Sequence, residues 1–255
     1  MDISVLTLFP GMFAGPMDQS ILGRAQERGL VTIALYNIRD FAQDRHHVVD
    51  DTPFGGGPGM VMKPEPLFLA VEAVRAELAE RQGVTVADGA PVILLSPQGR
   101  PFTQAIAREL AAHDALVFIC GRYEGVDARA EDALATDVIS IGDYVLTGGE
   151  IPAMAVIDAV VRLLPGVLGD DTSAVEESFS EGLLEGPTYT RPAEYRGMTT
   201  PEILLSGDHG AVARWRRRQA LLRTWQWRPE LLASADLSDE DCAYLQDLEQ
   251  GGSQE

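Results

Sequence analysis

Lysine is almost absent from this chain: Lys63 is the only one in 255 residues, so basic character rests on arginine. A Walker-type phosphate loop needs a lysine directly after its glycines, and Gly55–Gly59 is not followed by one in that arrangement. The pattern GxGxxG is missing as well, which removes support for a dinucleotide fold. Cysteine is scarce: Cys120 and Cys242, far apart in sequence, give neither a disulfide framework nor a metal-ligand spacing. The opening MDISVLTLF has an acid at position two and no basic stretch, so it lacks the positive n-region expected of a secretory signal. The apolar stretch from Ile151 to Leu168 is interrupted by Pro152, Asp158, Arg162 and Pro165, which argues against a membrane span. The expected location is a reducing cytoplasm, without a membrane.

What is present suits a globular protein. Hydrophobic residues make up 45% and charged residues 23%, and the length accommodates one large domain or one domain with a smaller companion. A net charge of −19 opposes binding to a polyanion, because attraction to phosphates supplies most non-specific affinity for nucleic acid. The distribution matters more than the sum. Eight acids and no Lys or Arg follow from Glu230 onward, whereas Arg214, Arg216, Arg217, Arg218, Arg223 and Arg228 lie together without an acid among them. Six arginines interleaved with Trp215, Trp225 and Trp227 suit phosphate contact and base stacking, or equally a solvated face offsetting acidic neighbours. An acidic end of the chain would weaken binding to unrelated RNA.

The first two-thirds alternates short β-branched runs with longer amphipathic ones. Ile3–Phe9, Val31–Ile38, Val92–Ser96, Leu116–Cys120 and Asp137–Ile141 read as strands. Met17–Arg28, Glu65–Arg81, Thr103–Ala112 and Pro152–Leu164 read as helices, which implies βαβ units, a mainly parallel sheet and an α/β fold class. After Gly166 the chain turns acidic and aperiodic, the mark of a flexible interdomain linker. Beyond it Asp208 can cap a helix carrying Val212, Trp215, Leu222 and Trp225, followed by Pro229–Ala235 and Asp239–Leu248 as shorter helices. The expected organisation is an α/β domain over 1–168, a flexible linker over 169–187 and a small, mostly helical domain over 188–255.

Four Gly-rich strand ends stand out: LSPQG from Leu95, GRYEG from Gly121, IGDY from Ile141 and LTGGEIP from Leu146. In open parallel sheets ligands bind beyond the carboxyl ends of strands, where glycines admit a close backbone approach. Any one of these glycines could merely turn the chain; three consecutive loops point to one pocket. A second cluster, Asp44-Arg45-His46-His47-Val48-Val49-Asp50-Asp51 followed by TPFGGGPGM, is expected to be loop. Its histidines and aspartates lack a fixed ligand spacing, so a polar substrate-binding loop is preferred to a metal site, and no metal ligand is assigned. His113 and His209 are isolated and carry no assignment.

Seven segments in order carry a specific resemblance: DRHHVVDDTPFGGGPGM, LLSPQGRPF, ICGRYEGVD, ISIGDYVLTGGEIPAM, RLLPGVLG, SFSEGLL and YTRP. Together they resemble the TrmD family of bacterial tRNA (guanine-N1)-methyltransferases, within the SPOUT superfamily. The resemblance covers nearly the whole chain up to Gln250. It implies an α/β domain with a SPOUT-type parallel sheet tied in a deep trefoil knot, a small helical C-terminal domain, and active sites at a homodimer interface. It implies an enzyme that methylates N1 of guanosine 37, immediately 3′ of the tRNA anticodon, with S-adenosylmethionine as donor. The alternatives are a SPOUT methyltransferase acting on another RNA and a non-catalytic RNA-binding module.

Carried over by position, Leu94, Ser96, Pro97 and Gly99, then Gly121, Tyr123 and Glu124, resemble the donor pocket, as do Ser140, Ile141, Gly142, Tyr144, Leu146, Gly148, Gly149 and Pro152. Asp50 and the loop of Gly55, Gly57 and Gly59 are expected to contact RNA, as are Arg214 and Arg218. Arg162 matches the family arginine that stabilises charge building on guanine O6. Glu177 stands where the family usually has the aspartate that removes the N1 proton, so the carboxylate is kept and lengthened by one methylene. Glu176, Asp170 and Asp171 are neighbouring candidates. The family's activity is magnesium-dependent, and Glu124 or Glu177 could serve, but no ligand spacing fixes a site.

Overall fold

The computed structural model describes residues 1–82, 90–169, 178–179 and 182–250. The chain divides into two compact units, Met1–Gly169 and Asp170–Glu255.

The first unit is built on a parallel sheet. Strand β1 is Asp2–Thr7, helix α1 Ser20–Glu27 and β2 Thr32–Asn37. A two-residue antiparallel pair follows, β3 at Asp50–Asp51 and β4 at Val61–Met62, then α2 at Pro64–Gln82. Next come β5 at Val92–Pro101, α3 at Gln104–Ala111, β6 at Ala115–Cys120, α4 at Ala128–Leu134, β7 at Asp137–Ser140 and α5 at Glu150–Val161. The five long strands run in the order β2-β1-β6-β5-β7, every pairing parallel. The α/β class and the parallel sheet agree with the sequence reading. The short β3–β4 pair differs from it: Asp50 and Asp51 are not loop but pair with Met62 and Val61. Two residues are too few to show an alternating pattern in sequence. Helix α4 also went unread, being seven residues long and capped by the Asp127 side chain accepting from the Arg129 N–H.

Both faces of this sheet are covered, which explains the near-continuous apolar runs of β5 and β6. On one face Ile3, Val5, Ile93, Leu116 and Phe118 pack with Leu22 of α1, Ile106 and Leu110 of α3, and Val156 and Val160 of α5. On the other, Leu6, Val92, Leu94, Val117 and Ile119 pack with Leu67, Val71 and Val74 of α2 and Leu134 of α4. Neighbouring residues of a strand point to opposite faces, so each strand supplies both cores.

The second unit carries a short hairpin, β8 at Glu194–Tyr195 and β9 at Met198–Thr199, then α6 at His209–Trp227 and α7 at Asp239–Glu249. The hairpin is an addition to the expected helices. Asp208 caps α6 by accepting from the Ala211 N–H, and Pro229–Ala233 is a 3-10 turn. Ser238 and Asp241 form a reciprocal capping box on α7. Leu183, Leu221, Leu222, Leu245 and Leu248 make this unit's own core. No helix among the described residues is long and apolar enough to cross a membrane.

Candidate active site

A cavity of about 380 Å³ opens at the carboxyl ends of β5, β6 and β7. Fourteen of the fifteen expected donor-pocket residues line it: Leu94, Ser96, Pro97, Gly121, Tyr123, Glu124, Ser140, Ile141, Gly142, Tyr144, Leu146, Gly148, Gly149 and Pro152. All four Gly-rich strand ends thus contribute to one pocket, at the place where open α/β sheets hold ligands. Its size falls in the about 300–1,000 Å³ range of small-molecule sites.

Each wall has a local cause. The β5 register against β7 shifts between Leu95 and Arg100, and the intervening Ser96–Gly99 bulges out as the first wall. Gly99 itself does not line the cavity. A Cβ there would lie 2.4 Å from the Val138 carbonyl oxygen, so this glycine serves close passage of the bulge over β7. Ser140 Oγ donates to the Gly142 carbonyl at 3.0 Å and accepts from the Gly142 N–H at 3.2 Å, closing the turn after β7. The Gly149 N–H donates to the Gly121 carbonyl at 2.9 Å and joins the LTGGEIP loop to the GRYEG loop. A Cβ on Gly149 would sit 2.7 Å from Cys120 Cα, so backbone excludes a side chain there, whereas one on Gly148 would meet only the Arg122 side chain, which would have to move. Pro152 occupies the first turn of α5, where its missing N–H costs nothing.

Beneath these loops lies an ion pair that the sequence reading did not single out. The Glu150 carboxylate is fully buried; Thr7 Oγ1 donates to Oε1 at 2.8 Å, and Arg122 Nη2 stands 2.9 Å from Oε2. Arg122 also donates through Nη1 to the Thr147 carbonyl at 3.1 Å and lies over the Phe9 ring at 4.6 Å. Burial pushes the Cys120 thiol well above its ordinary pKa, and Glu150 adds to this while Arg122 pulls the other way. Both charges sit inside motifs already noticed, GRYEG and TGGEIP; a charged residue among glycines that admit close approach was the signal available.

The GGGPG loop is fastened to the cavity rim. The Glu124 N–H donates to the Met60 carbonyl at 2.9 Å, and the Met62 N–H to the Gly125 carbonyl at 3.0 Å. Gly59 faces the Glu124 side chain, whereas Gly55 and Gly57 have open space around them and Phe54 is 99% exposed. Asp50, at the base of the loop in β3, is half-buried. The structure therefore brings Asp50, Gly55, Gly57 and Gly59 onto one projection beside the cavity.

Arg162 is not in the cavity wall. It is the C-cap of α5, whose first turn forms that wall. Glu177, Glu176, Asp170 and Asp171 lie outside the described residues, with most of the expected linker. Arg214 and Arg218 are exposed on α6 in the second unit. There Arg218 Nη2 stands 3.5 Å from Glu240 Oε1, and Arg217 Nη2 stands 3.0 Å from Asp241 Oδ2. The arginine helix is thus matched in part by the acids of α7. Among the described residues no group of three or more His, Cys, Asp and Glu could hold a metal ion.

Comparison with known proteins bears on the whole chain. The family model described as tRNA (Guanine-1)-methyltransferase TrmD matches residues 1–234. A tRNA (guanine-N(1)-)-methyltransferase of Pelotomaculum thermopropionicum is 59% identical, covering 97% of this chain and 96% of its own length. Proteins of the same description from Desulforamulus reducens and Dehalococcoides mccartyi are 57% and 56% identical, over 98% and 97% of this chain and 95% and 97% of their own lengths. With its Gly-rich loops gathered into one cavity and its relatives matching end to end, the chain belongs to the TrmD tRNA (guanine-1)-methyltransferase family.

Proposed function

We propose that this chain is an enzyme that transfers a methyl group from S-adenosylmethionine to N1 of the guanosine immediately 3′ of the tRNA anticodon, position 37. The observation that carries the reading is the convergence of four Gly-rich strand ends on one cavity in a chain whose relatives, matched over nearly their full length, bear the tRNA (guanine-N(1)-)-methyltransferase name.

The cavity residues fit the donor. Leu94, Ile141, Leu146 and Pro152 offer apolar wall, and Gly121, Gly142, Gly148 and Gly149 expose backbone groups that can hold adenine and a bent methionine moiety. The bound donor supplies an electrophilic methyl group on a sulfonium. The chain's part is to hold guanine, take the N1 proton and stabilise the charge that then builds on O6. Glu177 is the proposed base, with its carboxylate accepting that proton, and Arg162 is the proposed cation at O6. Asp50, Gly55, Gly57 and Gly59 are proposed to bind RNA beside the donor cavity, and Arg214 and Arg218 to contact it from the second domain.

The position of Arg162 supports a two-copy site. Gly149 and Arg162 cap opposite ends of α5, about 20 Å apart at the usual helical rise. A cavity at one end and an arginine at the other meet when a second chain packs against the first. The knotted SPOUT topology is proposed from the family resemblance, and the central position of β6, late in the chain, between β1 and β5 supports it. The helical second unit is the proposed tRNA-binding domain, and the cytoplasm the proposed location. Magnesium dependence is carried from the family, without an assigned ligand.

The test is methyl transfer from labelled S-adenosylmethionine to two tRNA transcripts, one with guanosine and one with adenosine 3′ of the anticodon. Labelling of N1 in the guanosine transcript alone is expected, with a loss of ~10² to 10⁴-fold in rate for Glu177→Gln. No labelling of either transcript would remove the reading. Labelling that survives the substitution would keep the reaction and move the base to another carboxylate.

A further inference from the structure

The cavity wall contains one cation. Among the lining residues, Arg122 is the only Lys or Arg, and its side chain is 15% exposed; Glu124 and Glu131 line the cavity too, but the carboxylate in ion-pair contact with Arg122 is Glu150. The sulfonium of the proposed donor is itself cationic, so an uncompensated guanidinium in that wall opposes binding. The opposing effect is large where protein excludes water, because low dielectric strengthens charge interactions. The structure places a fully buried carboxylate, Glu150, 2.9 Å from the guanidinium on the side away from solvent. Thr7 Oγ1 holds the other carboxylate oxygen. Thr7 belongs to β1, Arg122 to the loop after β6 and Glu150 to the first turn of α5, so three elements converge on one charge.

We propose that Glu150 is a positioning residue that cancels the Arg122 charge in the cavity wall, so that the cationic sulfonium donor binds without an electrostatic penalty relative to the uncharged thioether product. Arg122 is retained for its shape: it lies on Gly148, donates to Thr147 and carries the Phe9 ring. Glu150 removes the electrostatic penalty of having it there. The Cys120 thiol reports the local balance, being pushed up by burial and further by Glu150, with Arg122 the weaker opposing influence. Methyl transfer turns the bound sulfur from charged to neutral, so an uncovered cation in the wall would favour the product state over the donor state, and cancelling it removes that bias. A merely structural pair would shift the affinities of both ligands alike.

The inference rests on the donor-cavity reading, and calorimetry separates the two. The full chain is titrated with S-adenosylmethionine and with S-adenosylhomocysteine, as wild type, Glu150→Gln and the double variant Arg122→Gln/Glu150→Gln. If the wild type binds neither ligand, the donor-cavity reading falls and takes this inference with it. If it binds both, the donor-to-product affinity ratio is expected to fall about tenfold in Glu150→Gln, where the guanidinium is uncovered. It is expected to return to within about twofold of wild type in the double variant, where neither charge remains. Glutamine keeps an acceptor for Thr7. Should that variant not fold, Glu150→Ser removes the same charge while leaving room for water beside Arg122. An unchanged ratio on removing the Glu150 charge, whatever happens to each affinity, overturns the proposal.

Discussion

Gly149 and Arg162 cap the two ends of the same helix, α5, so the glycine at the donor cavity and the proposed catalytic arginine are fixed apart in one chain. On the proposed two-copy site, mixed dimers should complement. Arg162→Ala and Gly148→Val are each expected to be inactive alone. Refolded together at equal amounts, they are expected to regain about a quarter of wild-type activity, since half the dimers are mixed and each has one intact site. Activity that stays at background after mixing, with dimers confirmed by sedimentation, would place cavity and arginine in the same chain.

Two glycines of the same motif region should behave differently. Gly99→Ala drives a Cβ into the Val138 backbone at 2.4 Å, and backbone has nowhere to retreat. Its thermal unfolding is expected to show a loss of about 1–3 kcal/mol. Gly148→Ala meets the Arg122 side chain at 2.2 Å, which can rotate away at the expense of the cavity wall. Its main effect is expected in donor affinity, read by calorimetry, with a smaller loss of stability. Equal effects on both readouts would erase the distinction.

Acid should weaken the second unit through Asp241. Burial raises this carboxyl's pKa, but the Arg217 guanidinium and the Ser238 backbone and hydroxyl outweigh it and leave the pKa below its ordinary value. The Ser238 N–H donates to Oδ2 at 2.9 Å. A carboxyl depressed on folding contributes stability that is present above its unfolded pKa and is lost as pH falls through the folded value. The loss is therefore expected below about pH 4. Asp241→Asn should cost about 1 kcal/mol at neutral pH and flatten the acid limb of the unfolding profile. A limb as steep as wild type would assign it to other carboxyls.

The acids of α7 are also expected to limit binding to unrelated RNA. Deleting everything after Leu237 does not test this, because it removes Leu245 and Leu248 from the core. Glu240→Gln does, since Glu240 is exposed and pairs with Arg218 at 3.5 Å. Unrelated RNA should bind about two- to threefold tighter at low salt, with the gain vanishing as salt rises. Equal affinity of variant and wild type would leave the α7 acids without that role.

Much of the site was legible in the chain because its chemistry is local. The loops LSPQG, GRYEG, IGDY and LTGGEIP can be read one at a time, since each combines a strand end with glycines in consecutive residues. Arg122 and Glu150 were passed over because neither is unusual by itself. Their partnership joins positions 28 residues apart and includes Thr7, 143 residues from Glu150. Strand β3 is not legible in the sequence because the β3–β4 pair is held by hydrogen bonds between Met62, Gly125 and Asp127 across the chain, not by its own residue types.

The sequence by itself determined the α/β class, the parallel sheet, the cap of α6 and the Gly-rich loops that gather at one pocket, because periodicity and turn chemistry act over a few neighbouring residues. Only the tertiary structure decided that Gly99 serves the passage of backbone over β7, that a buried carboxylate pairs with the one cation among the cavity-lining residues, and that Arg162 stands at the far end of α5. Those outcomes depend on distances between segments remote in the chain, set when both faces of the sheet are packed at once.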